Sequence, residues 1–403
     1  MSNTIERVLK NVDRGIYKAA QTARDSSGEP MKRSTYGYLT DLMLAEGIGP
    51  SESEIDRSVT RLMARSGIPS DKFGLLPEAM QSLYEQYATD IWGLEQAFAY
   101  LGVRVKGAGA DRLEKLFATT ASAVLFPVYV ETQVMAGILA TPILADLIAT
   151  ETQINSHLYA SLALADAQAD RELRLLGEGA TLPTTRIATA DRGIYLYKFG
   201  RMLEATYEAL RLQRMNVISL FLQRVGRQIA IDETDWAIET LIAGDGNAGS
   251  AIDNTNDLDA DVQGTLDYDE LVKLKLAFAD GYDMTTAVTK TGTGTYGLRA
   301  ILNMAEFKDP MAGFTFQRSG ILPGPMGATW HRWDSVAAPH YVTQCILALD
   351  NRAALEQVTE QGVMTESDRL IDKQFERTAI SKWTGFAKLD YNAVKVLDIN
   401  AEI

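Results

Sequence analysis

The sequence predicts an α+β fold. Helical periodicity fills most of the first hundred residues, one helical pattern of about 40 residues follows near the middle, and beyond residue 264 short strand patterns alternate with short helical ones. No internal repeat is present, which sets the chain apart from a solenoid.

Residues 1–106 read as a separate helical region. Asn3 and Glu6 spell a capping box ahead of an amphipathic pattern carrying Ile5, Val8, Leu9, Val12 and Ile16. Helices are expected over Thr35–Ala45 and Glu54–Arg65, on either side of the breaker Gly47-Ile-Gly-Pro50. A fourth, Met80–Leu101, is rich in Tyr, Trp and Phe and should be well buried. The linker Lys106-Gly-Ala-Gly-Ala110 marks a boundary, after which a helix is expected near Tyr129–Leu139.

From Asp170 a polar arm leads to two β-rich runs, Thr184–Thr189 and Ile194–Phe199, separated by Ala190-Asp-Arg-Gly193. A short loop ending in Gly between runs rich in Ile, Thr and Tyr is a hairpin signal. Such a hairpin has too little apolar surface to stand alone and must lie on something else. Leu203–Ala243 then holds no Pro and one Gly, Gly226, so a continuous helix is expected. It would span roughly 60 Å at ~1.5 Å per residue. Leu203, Tyr207, Leu210, Val217, Phe221, Val225 and Ile229 fall on one stripe of that helix.

Gly244–Gly264 is dense in Gly, Asn and Asp and reads as a surface loop. Beyond it come a helix over Tyr268–Phe278, a strand over Thr285–Thr289, a helix over Leu298–Ala305, and β-rich pieces near Phe314, Ala328 and Tyr341. The last part mixes Arg352–Val358, Glu366–Lys382 and a closing strand over Ala393–Leu397. Glu366 with Asp368, and Asp372 with Glu376, read as solvated helix faces beside Arg369 and Lys373.

Composition narrows the function. At 46% hydrophobic and 23% charged, the 403 residues have the make-up of a soluble globular protein with material for two or three structural units. A formal charge of −14 argues against nucleic-acid binding by bulk electrostatics, which needs clustered Lys and Arg. Residues 1–35 depart from this, with seven Lys/Arg against four Asp/Glu, and read as an ordinary solvated amphipathic helix. The one cysteine, Cys345, excludes an internal disulfide and reads as a small buried hydrophobe. No secretory signal opens the chain, and Leu116–Thr150 is broken by Pro127, Glu131, Pro142 and Asp146, so no spanning helix is expected.

Three motifs invite a chemical reading. Gly244-Asp-Gly-Asn-Ala-Gly249 has dinucleotide-binding spelling but follows a helix where the motif requires a strand. Gly292-Thr-Gly-Thr-Tyr-Gly297 follows a strand and precedes a helix, yet lacks a preceding βαβ unit and a ribose-binding acid downstream; it reads as a loop. Asp259–Glu270 matches a calcium loop at most positions, but Gln263 and the missing entering helix oppose it, and Asp267 with Glu270 can cap a helix instead. His157, His331 and His340 lack metal-ligand spacing. No nucleophile elbow, Walker loop or His-Glu-x-x-His occurs. No enzyme activity, catalytic residue, cofactor or metal is expected.

Several runs stand in one order along the chain: Glu178-Gly-Ala-x-Leu-Pro183, Tyr195-Leu-Tyr-Lys-Phe-Gly-Arg201, Leu203-Glu-Ala-x-Tyr-Glu-Ala-Leu-Arg-x-Gln-Arg214 and Leu241-Ile-x-Gly-Asp-Gly-Asn247. To these are added Thr265-Leu-Asp-Tyr-Asp-x-Leu271, Glu306-Phe-Lys-Asp-Pro310, Asp368-Arg-Leu-Ile-Asp-x-Gln-x-Glu-Arg377 and Gly385-Phe-Ala387. Together they resemble the major capsid proteins of tailed bacteriophages. The resemblance covers Leu125–Ile399 and implies the Hong Kong 97-type shell fold. It implies an N-terminal arm and start of the peripheral domain over 107–169, an extended loop over 170–200, and a peripheral domain with its spine helix over 201–264. An axial domain over 265–359 and a C-terminal return over 360–403 complete it. Residues 1–106 lie outside it, as a cleaved scaffold-like segment or a retained extension; the second is favoured.

The implied function is a structural protein that self-assembles through pentamers and hexamers into an icosahedral head around double-stranded DNA, without sequence-specific binding. Its place is the virion, assembled in the host cytoplasm, with portal, scaffolding or protease, and decoration proteins as further partners and no membrane. The alternatives are an encapsulin-type compartment and, in another class, a nucleotide-binding enzyme using Gly292–Gly297. Some relatives weld subunits through a Lys of the extended loop; Lys198, near its base, is the only Lys of this arm, so no covalent cross-link is expected.

Overall fold

The structure, a computed structural model, describes residues 39–40, 43–44, 47–66, 73–74, 78–105, 109–116, 125–140, 142–156, 158–161, 192–206, 208, 212–247, 250–252, 257–278, 281–293, 295–304, 325–334, 345–370 and 375–399. The helix around Asn3 and Glu6, the run Thr184–Thr189, the β-rich piece near Phe314 and the residues His157, Tyr341 and His340 lie outside these. The fold is mixed helix and sheet, as the α+β reading expects.

Helices α1 (Glu52–Ser66) and α2 (Glu78–Tyr100) fall where periodicity puts them. Ser51 is the start signal for α1: its hydroxyl and its backbone N–H both donate to the Glu54 carboxylate at 2.9 Å, a capping box that the sequence spells. Helix α3 (Leu125–Ile138) is mostly apolar with no one-sided stripe, although Glu131 lies buried in its middle, and a helix of that kind needs cover all round. It receives it from α2, from the long helix α4 (Met215–Ala243) and from the strand over Leu355–Leu370. Gly137 and Gly226 face each other where α3 and α4 cross; a Cβ on Gly226 would stand 2.0 Å from the Val134 carbonyl oxygen, and one on Gly137 2.1 Å from that of Gln223.

Helix α4 is shorter than the sequence suggests. Leu203–Thr206 belongs instead to a strand, and the helix begins after the extended Arg214, which leaves 29 residues or about 43 Å at ~1.5 Å per residue. The strand pairs with Phe375–Thr384, Leu203 opposite Thr378, so hydrogen bonds to a segment far along the chain outweigh local helix preference. The expected stripe is corrected too. Val217 and Phe221 are exposed, and the buried face runs through Leu222, Val225, Gly226 and Ala230.

Strands β1 (Thr150–Gln153), β4 (Tyr197–Thr206), β9 (Leu355–Leu370) and β10 (Phe375–Lys388) form a sheet in the order β1-β9-β10-β4, with only β1 parallel to its neighbour. Thus 366–370 and 375–382 are strand, not the helix faces their charges suggest; pairing of β10 with β9 and β4 overrides the helical look of that sequence. Strands β2 (Leu158–Ser161) and β3 (Arg192–Tyr195) form a separate antiparallel pair. The run Ile194–Phe199 is therefore cut at Leu196 and serves two sheets, and its first half pairs with Leu158–Ser161.

A second sheet has the order β5-β11-β8-β6-β7, from Asp257–Asp259, Val394–Asp398, Cys345–Leu349, Thr286–Thr289 and Thr329–Arg332. Its edge strand β5 lies within Gly244–Gly264, read from sequence as loop throughout. Helices α5 (Tyr268–Leu276) and α6 (Gly297–Asn303) pack on one face of this sheet. Along β8, Cys345, Leu347 and Leu349 face α4, while Ile346 and Ala348 face α5 and α6. Both faces are thus buried, which is why β8 reads as one apolar run.

Helix α4 ties these parts together. Its first half, through Met215, Leu222 and Val225, shares an apolar cluster with Leu39, Met43, Leu94, Phe98, Leu113 and Tyr129. Its second half, through Ala237, Ile238, Leu241 and Ile242, packs against Val288, Leu347, Leu349, Val394 and Val396.

Candidate functional site

The three motifs resolve as structure. Gly244 caps the C-terminus of α4, its N–H donating to the Thr240 carbonyl at 3.0 Å. The Gly292–Gly297 loop closes on itself. The Thr293 N–H donates to the Tyr296 carbonyl at 3.0 Å, and with both glycines at positive φ a Cβ on Gly292 would meet the Tyr296 oxygen at 2.1 Å. Asp267 caps α5 by accepting from the Glu270 N–H at 3.2 Å, and the Glu270 carboxylate turns back to accept from the Asp261 N–H. Among the described residues no group of three or more His, Cys, Asp or Glu is placed to hold a metal, and no helix is long and apolar enough to cross a membrane. Cys345 is buried, and burial pushes its thiol up to about 12. His331 lies 2.8 Å from Asp146.

What remains uncovered is apolar surface on a rigid frame. At the start of α4, Leu212 is 71% exposed, and Val217, Leu220 and Phe221 are each more than half exposed. Val217, Leu220 and Phe221 are spaced by three and four, so they stand on one face opposite the buried one. Arg224, Arg227 and Gln228 continue that exposed side towards the middle of the helix. A second patch sits on β2 and β3, where Leu158 and the 63% exposed Tyr195 are directly opposed. Ser161 and Arg192 are also partners.

Buried polar joints hold this frame. Lys382 lies at a register shift between β9 and β10, and its ammonium meets the Glu233 carboxylate of α4 at 2.9 and 3.1 Å. Lys388 is buried and donates to the carbonyls of Leu241 and Ser250 at 3.2 Å each, satisfying the C-terminal end of α4. The Trp333 indole donates to Asp235 at 2.7 Å. Tyr197 packs against Trp236 with the ring planes tilted by 59° and the centroids 4.9 Å apart. Sequence reading missed all of these, since none has local spacing. Only the isolated Lys in the apolar run Gly385-Phe-Ala-Lys388 hinted at one.

On strand β5, burial and the neighbouring Asp259 and Asp398 raise the Asp257 carboxyl to about 6 from 3.8. A folded pKa above the unfolded one means stability is fully present below about 4 and is lost as pH rises through about 6. Asp257→Asn is expected to melt at the same temperature as the parent at pH 3.5 and higher than it at pH 8. A variant no more stable at pH 8 would remove the repulsion from the account.

A family model described as "Phage capsid protein" matches residues 189–396, which takes in β4, all of α4 and both sheets apart from β1 and the end of β11. The chain belongs to the phage capsid protein family. Its mixed helix-and-sheet fold is consistent with the Hong Kong 97 type that the resemblance implies. Among solved structures, this capsid-family chain is similar to the capsid of an empty GTA particle, at 17% identity and a TM-score of 0.44, over 63% of this chain and 88% of that one. It is similar to a structure from Mycobacterium phage Adephagia, at 12% identity and a TM-score of 0.42, over 64% and 89%. An encapsulin complex from Synechococcus elongatus aligns at 14% identity and a TM-score of 0.41, over 64% and 88%. Comparison with curated proteins found no match.

Proposed function

We propose that this capsid-family chain is the major subunit of a tailed-phage head, assembling through pentamers and hexamers into an icosahedral shell around double-stranded DNA. The observation that carries the reading is the uncovered apolar face of α4 at Val217, Leu220 and Phe221. An apolar face held on a rigid helix is the kind of surface a neighbouring subunit covers, and head-to-tail contacts between identical subunits close into rings. In this reading residues 170–200 form the extended loop, α4 is the spine helix of the peripheral domain, and 265–359 form the axial domain. The shell is built in the host cytoplasm and becomes part of the virion. The acidic surface limits sticking to the packaged genome.

Size-exclusion chromatography with light scattering and negative-stain imaging of the full-length chain tests this. Megadalton hollow particles, or rings of five or six, are expected; a monodisperse monomer or dimer that binds a nucleotide and melts higher with it would overturn the reading. Leu220→Glu with Phe221→Glu should leave the melting temperature of the subunit within about 2 °C, as exposed changes usually do, and abolish particles. Retained assembly would place the contacts elsewhere.

The shell is held without covalent links. Lys198 lies in β4 with its ammonium 5.7 Å from the centre of the Trp383 ring, a placement that favours the intact charge. Denatured particles should give one mass, that of a single chain; ladders of multiples would refute this.

A further inference from the structure

We infer that the N-terminal helical layer, residues 39–105, is a permanent part of the subunit, so that any maturation cleavage that removes material falls before Leu39. Helix α3 is the reason. It is mostly apolar with no one-sided stripe, and α4 and β9 each supply cover for part of it. Helix α2 covers another part: Tyr84 and Tyr87 are fully buried and donate their hydroxyls to the carbonyls of Leu139 and Thr132, at the end and in the middle of α3. Leu39, Met43, Leu94 and Phe98 lie in the same apolar cluster as Tyr129, Met215 and Leu222, so the cluster runs across the 106 boundary without a break.

The attachment continues beyond the helices. Asp111 accepts from the Arg104 N–H at 2.8 Å, and the Lys115 ammonium reaches back to the Gly102 carbonyl and to Asp111. On the other side, the Leu113 N–H donates to the Gln213 carbonyl and the Met215 N–H to that of Asp111, each at 3.1 Å, which fastens this stretch to the first residues of α4. Taking away 39–105 would bare Ala136 and Leu139, which are buried in one apolar cluster with Val59, Leu62, Met63, Tyr84 and Tyr87. A scaffold meant to leave would instead be expected to touch the remainder through a polar, separable face.

The inference concerns the subunit itself and does not need the shell reading to hold. A specific protease site placed in the linker Lys106–Ala110 of the full-length chain tests it. After complete cutting, the two fragments should co-elute on size exclusion, and amides of 84–98 should exchange hydrogen as slowly as those of α3. Release of the N-terminal fragment, leaving a monodisperse remainder that melts as the uncut chain does, would overturn it. So would rapid exchange across 84–98 in the uncut chain beside slow exchange in α3. If particles form, peptides from 39–105 should be recovered from them in equal amount to peptides from 215–243; particles lacking them would overturn it as well. Failure of the chain to form particles bears on the shell reading alone and leaves the cutting and exchange results to decide this one.

Discussion

Gly226→Ala should be among the most damaging single changes to this protein, costing about 3 kcal/mol or more. The Cβ would sit 2.0 Å from the Val134 oxygen and 3.1 Å from the Gly137 Cα. Both obstacles are backbone, so no rotamer change relieves them, and α3 and α4 must separate by on the order of 1 Å in an interior packed like a crystal. Separation loosens Leu222 and Val225 against Tyr129, in the cluster that joins the N-terminal layer to α4. Gly246→Ala is the control, because a Cβ there meets nothing within 4 Å and pays only for a φ of +87°, roughly 1–2 kcal/mol. Thermal melts of the two variants decide the matter. Equal losses would mean that the helix crossing is softer than its geometry.

Lys382→Met is expected to cost about 3–5 kcal/mol, because the Glu233 carboxylate it leaves behind is buried in the frame. The Glu233 side chain is 2% exposed and that of Lys382 16%, so water cannot take the lost partner's place. The double variant Lys382→Met with Glu233→Leu should recover most of the loss, since a well-packed apolar pair removes both desolvation penalties. Urea midpoints of the two singles and the double give the coupling directly. Additive losses would show that the pair does not interact and that the single changes act through packing. The joint ties β10 to α4, and with it the apolar face proposed for assembly.

The candidate surface was only partly legible from sequence. The apolar residues of the long helical pattern were visible, but which of them face inward was not. Val217 and Val225 look alike in spacing, and the difference is made by α3, which lies on the Gly226 side. Likewise the strand that becomes β4 shares its last residues with a good helix pattern, and only the distant backbone of Phe375–Thr384 makes it a strand. The charged text of 366–382 reads as helix for the same reason: local propensity is a weak prior that distant hydrogen bonds override.

By itself the sequence determined what is local. It fixed the α+β class, helices α1, α2, α3, α5 and α6, strands β6 and β11, the capping role of Asp267, the burial of Cys345, and, through short matches in order, the capsid family. The helices among these close their hydrogen bonds within a few residues, and the two strands show as short β-branched runs although their partners lie far away, so a linear reading contains them. Only the tertiary structure decided the rest: where α4 begins, which of its faces is left bare, how β4, β9 and β10 pair, and that Leu39–Val103 shares a core with Tyr129 and Met215. Each depends on backbone groups and apolar surfaces that find partners far along the chain, and one helix periodicity serves equally for a face turned inward and a face left for another molecule.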